Sequence, residues 1–281
     1  MTADAQEVGY ETLVSKRVGA VLHITLSRPE VRNAMSLRMV AELRSALETA
    51  QSDGSVRVLV LRGAGGHFCA GADLKDMAAA RLRPIQNDPQ ASDTGGALDG
   101  LAQVNRQFGE LCVAFADTPL ALVAVLEGSV MGGGLGLACV ADVALACESA
   151  VFRLPETSLG LVPAQIAPFL VERLGYSQAK RLAVTGGRVS AVNALAIGLV
   201  HAVHAPDQID AALATVLADI LACAPGAVAA TKALMARARL TPAADLVPDA
   251  ALVFARAAQG AEGLEGTMAF LQKRKPSWAM P

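Results

Sequence analysis

Hydrophobic positions in the first 200 residues alternate between short apolar runs and longer stretches with helical spacing. Residues 36–50 place apolar side chains at helical spacing, and Ser36 before them is suited to cap a helix. Strands that alternate with helices predict an α/β fold with mostly parallel strands. The apolar runs of strand length are residues 21–26, 56–61, 120–126 and 143–146.

The pattern changes after Pro206. Residues 207–224, 227–239 and 249–274 have helical periodicity and no strand pattern. The sequence therefore predicts an α/β core over residues 1–205 and a helical region over residues 206–281.

One internal segment, residues 81–100, differs from its neighbours. It is polar and contains two prolines and three glycines. We expect a long loop that acts as a lid, binds substrate or has no ordered structure.

Composition and charge exclude several classes of function. The net charge of −2 and the pI of 6.1 indicate neither a nucleic-acid-binding surface nor a basic face for membranes. The most apolar stretch, residues 119–147, has only 14 uncharged residues between Glu127 and Asp142, whereas a membrane-spanning helix needs about 20. The N-terminal residues carry no secretion-signal pattern, so we expect a cytoplasmic protein.

The cysteines and histidines give no metal or disulfide signature. The five cysteines are scattered, without a C-x-x-C pair, and we expect most to be small buried residues. His201 and His204 have no Cys or carboxylate at metal-ligand spacing. The sequence predicts no bound metal.

The glycine-rich turn at residues 132–134 is a candidate for ligand binding. Gly132, Gly133 and Gly134 lie between an apolar strand and an apolar helix, where backbone N–H groups can stabilise an anion. The spacing matches neither a P-loop nor G-x-G-x-x-G. Close helix packing explains such a cluster equally well.

The order of several short motifs resembles the crotonase (enoyl-CoA hydratase/isomerase) family. Together they cover nearly the whole chain and are far more specific than any one of them. The matching segments are residues 28–35 (RPEVRNAM), 68–74 (FCAGADL), 127–134 (EGSVMGGG), 152–156 (FRLPE) with 159–163 (LGLVP), and 269–274 (AFLQKR).

The resemblance implies a fold and a binding site. The fold would be a spiral of strand–strand–helix units with a C-terminal helical oligomerisation region, in a homotrimer or a dimer of trimers. The N–H groups of Ala70 and Gly133 would form an oxyanion hole around the thioester carbonyl of an acyl-CoA. Coenzyme A would enter only as part of the substrate, with no other cofactor. The residues that would contact it are Arg28, Ala72, Asp73 and Leu74, with Phe270 and Lys273 from the C-terminal helix, often that of a neighbouring subunit.

The acid–base residues depart from the family pattern. Hydratases of the family use two glutamates, and this chain keeps one, Glu156, while Gly136 stands at the other position. We expect hydration of an enoyl-CoA with Glu156 as the proton carrier. One carboxylate can also abstract and return a proton, as in Δ3,Δ2-enoyl-CoA isomerases. A non-catalytic acyl-CoA-binding protein is the third alternative.

Residues 155–169 also lack the usual glycine-rich pattern and resemble a subgroup that includes isohexenylglutaconyl-CoA hydratases. Arg153, commonly glycine in the family, would bind a substrate carboxylate or form an ion pair with a neighbour.

Ser129 raises the serine peptidases that share this fold. A nucleophilic serine needs an adjacent base, and no histidine occurs between His67 and His201. We therefore expect His67 to be structural and do not favour peptidase activity.

Overall fold

The computed structural model describes residues 9–82 and 100–279, which fold around two sheets. The larger sheet has six strands in the order β1-β2-β3-β4-β6-β9, and the smaller has the order β5-β7-β8. All pairs are parallel except β1–β2 and β7–β8. The strands are β1 (Leu13–Val18), β2 (Val21–Leu26), β3 (Val58–Gly63), β4 (Ala121–Leu126), β5 (Ser129–Met131), β6 (Val143–Cys147), β7 (Val151–Arg153), β8 (Arg188–Ser190) and β9 (Ala202–His204).

Helices cover both faces of the larger sheet and form the C-terminal region. Short 3₁₀ turns occur at Pro29–Val31, Ala64–Gly66, Glu156–Leu159 and Ser277–Ala279. The α-helices are α1 (Leu37–Asp53), α2 (Leu74–Arg81), α3 (Gly100–Ala116), α4 (Gly133–Val140), α5 (Ala167–Thr185), α6 (Ala191–Ala196), α7 (Ile209–Leu221), α8 (Pro225–Ala238), α9 (Ala243–Gln259) and α10 (Ala261–Leu271).

The predicted α/β class with mainly parallel pairing is confirmed. The predicted apolar runs became β2, β3, β4 and β6, with β3 starting two residues later than expected. Ser36 caps α1, because its side chain accepts a hydrogen bond from the Met39 N–H at 3.1 Å. The pattern did not predict β1 or the three-residue strands.

The central strands are buried on both faces, which explains their unbroken apolar sequence. Leu59 and Leu122 pack toward a core that includes α1, α3 and α4. Val60 and Val123 pack toward Ile209 and the rest of α7. The helical region after residue 205 thus shares a core with the sheet through α7, and the division into two domains stays a prediction.

The C-terminal helices differ from expectation at one point. The predicted helix over residues 249–274 is two helices, α9 and α10, because Gly260 adopts an extended conformation with φ −73° and ψ 165° between them. Both helices expose large apolar side chains: Phe254 is 76% and Phe270 83% exposed. In the described part of the chain, no single helix is long and apolar enough to span a membrane, although α7 and α8 together meet that test with a 97° bend between them.

The expected loop over residues 81–100 lies mostly outside the described residues. Its two ends are helical instead, because Arg81 closes α2 and Gly100 opens α3. These two helices form one wall of the cavity described below.

A buried carboxylate ties the N-terminal segment to α1. Glu42, 7% exposed, accepts hydrogen bonds from the N–H groups of Glu11 and Thr12 and from the Thr12 hydroxyl, at 2.6–3.0 Å. Arg38 donates a further bond at 2.8 Å. Burial alone would raise the pKa of Glu42, but these hydrogen bonds outweigh it and the pKa lies below its ordinary value.

We expect Glu42→Gln to destabilise the fold by about 2 kcal/mol at pH 7, because hydrogen bonds to a charged group are lost. A lowered folded-state pKa contributes stability above the unfolded pKa, near 4.5, that disappears as the pH falls through the folded value. Thermal unfolding of both proteins from pH 7 to pH 3 should show the gap closing. Glu48→Gln, on the exposed face of the same helix, is the control. A gap that persists at pH 3 would contradict this account.

Candidate active site

The glycine-rich turn at residues 132–134 lies beside the turn formed by the motif at residues 68–74. The Cys69 N–H donates to the Ser129 carbonyl and the Met131 N–H donates to the Cys69 carbonyl, both at 2.9 Å. This backbone pairing leaves no room for a side chain at Gly134, where a Cβ would lie 2.7 Å from Cys69 Cβ. The glycine cluster therefore serves close packing and, through the same contact, brings the start of α4 beside the other turn.

A cavity of about 420 Å³ opens at this junction. Its walls come from the start of α1, from α2 and α3, and from residues 161–166 before α5. Most of the lining is apolar. Glu156 and Gly133 line it together, and the other polar side chains in the lining are Ser36, Asp73, Asp76, Arg81, Asn105 and Gln165.

The predicted donor role of Ala70 is wrong. The Ala70 N–H already donates to the Arg32 carbonyl at 3.0 Å, and Ala70 does not line the cavity. Ala72 does line it, and within the described ranges its N–H donates to no other residue. The amide available from this turn is therefore that of Ala72.

The backbone at Gly71 explains the difference. Its φ of +99° lies in a region that favours glycine, and a Cβ there would meet the Met131 carbonyl oxygen at 3.3 Å. The chain turns at Gly71, so the preceding N–H, that of Ala70, is hydrogen-bonded within the fold, whereas the following N–H, that of Ala72, is available to the cavity. Residue spacing alone cannot predict this turn.

The second predicted donor, Gly133, is well placed. It is the first residue of α4, where an N–H has no partner within the helix, and among the described residues no other group accepts from it. The helix dipole adds partial positive charge at this end. Ala72 and Gly133 thus present two backbone donors to one cavity.

Glu156 is the carboxylate at this end of the cavity. Its Oε2 is buried and accepts a hydrogen bond from no group in the described part of the chain. Burial raises the pKa of Glu156 above its ordinary value. Its Oε1 would lie 2.8 Å from a Cβ at Gly132, whose φ of +49° also favours glycine. Because its buried oxygen has no partner in the described part of the chain, this half-buried carboxyl is suited to exchange protons with a bound molecule.

The position of the missing second glutamate is filled by apolar side chains. A Cβ at Gly136 would overlap Ile166 Cγ2 and would lie 3.5 Å from Phe108 Cζ. Ile166 is only 3% exposed. Replacing Gly136 by a carboxylate would therefore require Ile166 to move.

The residues predicted to contact coenzyme A are only partly brought together. Ala72 and Asp73 line the cavity. Arg28 does not, but its guanidinium donates to Asp73 Oδ2 at 2.9 Å. Burial alone would raise the pKa of Asp73, yet Arg28 and the Lys75 N–H outweigh it and the pKa lies below its ordinary value. Leu74 is 61% exposed and outside the lining.

Phe270 and Lys273 are not part of this cavity in the single chain. Phe270 points out from α10, and Lys273 follows the helix in a left-handed conformation with φ 53°. The resemblance implies that both contact coenzyme A, in the family often from a neighbouring subunit, and that contact stays a prediction.

The other candidate side chains have structural partners. Arg153 donates to the Gly186 carbonyl at 2.8 Å and lies outside the cavity lining, so it does not bind a ligand there. His67 Nδ1 accepts from the Ser129 N–H at 3.1 Å, as expected of a structural histidine. Across residues 9–82 and 100–279 no cluster of His, Cys, Asp or Glu could hold a metal ion.

Comparison with known proteins agrees with this fold. The family model described as enoyl-CoA hydratase/isomerase matches residues 16–281. The mouse mitochondrial enoyl-CoA hydratase domain-containing protein 2 is 34% identical over 99% of this chain and 90% of its own length.

Two solved structures are also similar. An enoyl-CoA hydratase/isomerase from Marinobacter aquaeolei is 48% identical with a TM-score of 0.90, and AtuE from Pseudomonas aeruginosa is 51% identical with a TM-score of 0.89. Each comparison covers 96% of this chain and 100% of the other. This chain belongs to the enoyl-CoA hydratase/isomerase family and has the crotonase fold. It is an enzyme of that family, whose members act on acyl-CoA substrates.

Sequence reasoning missed part of the cavity wall. Asn105 and Phe108 are three residues apart on α3 and so lie on one face, a spacing that could have been recognised once the helix was placed. Gln165 and Ile166 lie in an irregular segment, where no periodicity indicates which side chains face the cavity.

We expect Glu156→Gln to stabilise the fold by less than about 1 kcal/mol at pH 7, because it removes a half-buried charge that lacks hydrogen bonds, while the amide that replaces it also lacks a partner. Because the folded-state pKa is raised, the folded state binds protons more tightly, and wild-type stability falls as the pH rises through the two pKa values. Chemical denaturation should show the gain at pH 7 and its loss near pH 4. Glu148→Gln, at an exposed position, should show no such dependence. A Glu156→Gln protein less stable than wild type at pH 7 would contradict it.

Proposed function

We propose that this enzyme hydrates a 2-enoyl-CoA, with Glu156 as the acid–base residue. The observation that carries the proposal is the half-buried Glu156 carboxyl, whose buried Oε2 has no partner among the described residues, in the same cavity as the N–H groups of Ala72 and Gly133. Similar proteins are named as enoyl-CoA hydratases, which supports hydration over isomerisation. The oxyanion-hole role assigned to Ala70 passes to Ala72.

The chemistry balances with one carboxylate. The Glu156 carboxylate takes a proton from water as the water oxygen bonds to C3 of the substrate. The electrons of the double bond move to the thioester oxygen, where Ala72 and Gly133 stabilise the enolate. The protonated Glu156 then returns its proton to C2, and the carboxylate is regenerated. Its raised pKa favours this return step.

Isomerisation of a 3-enoyl-CoA is the second candidate. It is favoured by the apolar packing at Gly136, because Ile166 and Phe108 fill the position from which a second carboxylate would hold water. In that reaction Glu156 would remove a proton from C2 and return it to C4. The same enolate oxygen would be stabilised by the same two amides.

The coenzyme and assembly contacts are further parts of the proposal. Coenzyme A enters as part of the substrate, with Ala72 and Asp73 beside its thioester arm and no other cofactor required. The exposed apolar side chains of α9 and α10, among them Phe254 and Phe270, support burial against further copies of the chain in a homotrimer or a dimer of trimers. Phe270 and Lys273 would then reach the coenzyme of a neighbouring subunit.

We expect Glu156→Gln to lower kcat by about 10²- to 10⁴-fold, because Gln cannot carry the proton. Crotonyl-CoA and a 3-enoyl-CoA should be incubated with wild type and variant, and the products read by mass. A gain of one water marks hydration, and a moved double bond at unchanged mass marks isomerisation. Acyl-CoA binding, measured by calorimetry, should be retained. Wild-type protein that binds acyl-CoA but converts neither substrate would contradict catalysis.

The oxyanion role of Gly133 can be tested at the backbone. We expect Gly133→Pro to lower kcat/KM by about 10²- to 10³-fold, because it removes the N–H donor. Proline is well tolerated at the first residue of a helix. Gly133→Ala is the matched control, since its Cβ also contacts Phe108 Cζ at 3.1 Å but its N–H remains. Equal activity of the two variants, both folded by circular dichroism, would rule out the donor.

A further inference from the structure

A pair of carboxamides lies in the cavity wall beyond the reacting end. Gln165 Nε2 donates a hydrogen bond to Asn105 Oδ1 at 2.9 Å, and both side chains line the cavity. Neither carboxamide belongs to the acid–base or oxyanion groups described above. The pair joins α3 to the segment before α5, across an otherwise largely apolar wall.

The pair packs against a glycine on α3. A Cβ at Gly109 would meet the end of the Gln165 side chain, so a larger residue there would displace the Gln165 carboxamide. Next to it, Ile166 packs on Phe108 and Gly136. The polar pair therefore lies beside these apolar side chains.

Its distance from the thioester follows from the helix. Phe108 contacts the Gly133 position, and Asn105 is three residues earlier on α3, about 4.5 Å along the axis. A group recognised at Asn105 would therefore lie away from the Gly133 amide and not at the thioester itself.

The pair retains hydrogen-bonding capacity. The bond between the two side chains uses Gln165 Nε2 and Asn105 Oδ1, which leaves the Asn105 Nδ2 donors without a partner among residues 9–82 and 100–279, while Gln165 Oε1 faces Gly109 on α3. Arg81 is a basic residue of the same lining, which also includes the acidic Asp73 and Asp76. Asn105 is exposed in the free chain, so a hydrocarbon chain lying over its amide would remove the amide from solvent without a new hydrogen bond, whereas an oxygen substituent would accept one.

We infer that Asn105 and Gln165 determine substrate specificity by binding an oxygen-bearing group, a hydroxyl or a carboxylate, on the acyl chain. This inference rests on the proposed acyl-CoA chemistry and adds the class of acyl group. Gly109 is a positioning residue that acts through Gln165.

The test compares a medium-chain trans-2-enoyl-CoA with its terminal hydroxy and terminal carboxy derivatives. We expect wild-type kcat/KM to be about tenfold or more higher for at least one oxygenated substrate. Asn105→Leu and Gln165→Met should remove that preference and leave the hydrocarbon substrate unaffected or improved. Gly109→Ala should act in the same direction without touching substrate. Gln178→Met is the matched control, because Gln178 accepts from Arg181 on α5 outside the cavity.

The Arg81→Gln variant also distinguishes a carboxylate from a hydroxyl as the preferred group. If the carboxylate is the preferred group, Arg81→Gln should reduce turnover of the carboxy substrate alone; if the hydroxyl is preferred, Arg81→Gln should leave the preference unchanged. A wild type that prefers the hydrocarbon or shows no preference, or variants that lower all three substrates equally, would overturn the inference.

Failure of the proposed function has a different signature. If wild type converts none of the three substrates, the proposed reaction is wrong. The preference for an oxygenated acyl chain is then measured by calorimetric binding of the matched saturated acyl-CoAs. Tighter binding of an oxygenated chain, lost in Asn105→Leu, would support the inference. Equal binding of all three chains by wild type would overturn it.

Discussion

The backbone pairing between Cys69 and the strand Ser129–Met131 is the contact on which the site depends. It joins two turns that follow different strands of the fold and are about 60 residues apart in the sequence. Glycine at position 134 lets the start of α4 approach Cys69 without a clash. A wider gap here would separate the Ala72 and Gly133 amides, and neither alone would surround a carbonyl oxygen.

Helix α4 is suited to this position because its C-terminal carbonyl groups have hydrogen-bond donors, whereas its first amide remains available. All of its residues after the first are buried, so the helix cannot shift toward solvent. At its C-terminal end the Arg173 guanidinium donates to the Cys139 and Ala141 carbonyls, which neutralises the partial negative charge there. At its N-terminal end the Gly133 amide lines the cavity together with Glu156. The buried helix thus adds partial positive charge at the reacting end, opposite in sign to the Glu156 carboxylate.

Much of the fold followed from local pattern, while the site depended on details that pattern does not contain. The buried strands β4 and β6 were predictable because parallel central strands are apolar throughout, and Ser36 was recognisable as a cap. Gly133 and Glu156, both predicted as site residues, line the cavity, while their catalytic roles stay predictions. Ala70 was mistaken for Ala72 because the turn at Gly71 decides which amide is free, and a positive φ cannot be read from spacing. The break at Gly260 was missed for a related reason, since glycine within an amphipathic pattern does not by itself end a helix.

The overlap between position 136 and Ile166 also constrains how relatives with one and two carboxylates can interconvert. A glutamate that arose first at position 136 would meet a buried, close-packed Ile166 and would be selected against for its effect on folding. A smaller residue at position 166 would have to come first, at the moderate penalty of a cavity. We therefore expect the substitution at position 166 to precede the substitution at position 136, because the obstacle is the packing of Ile166 and not the chemistry of the site.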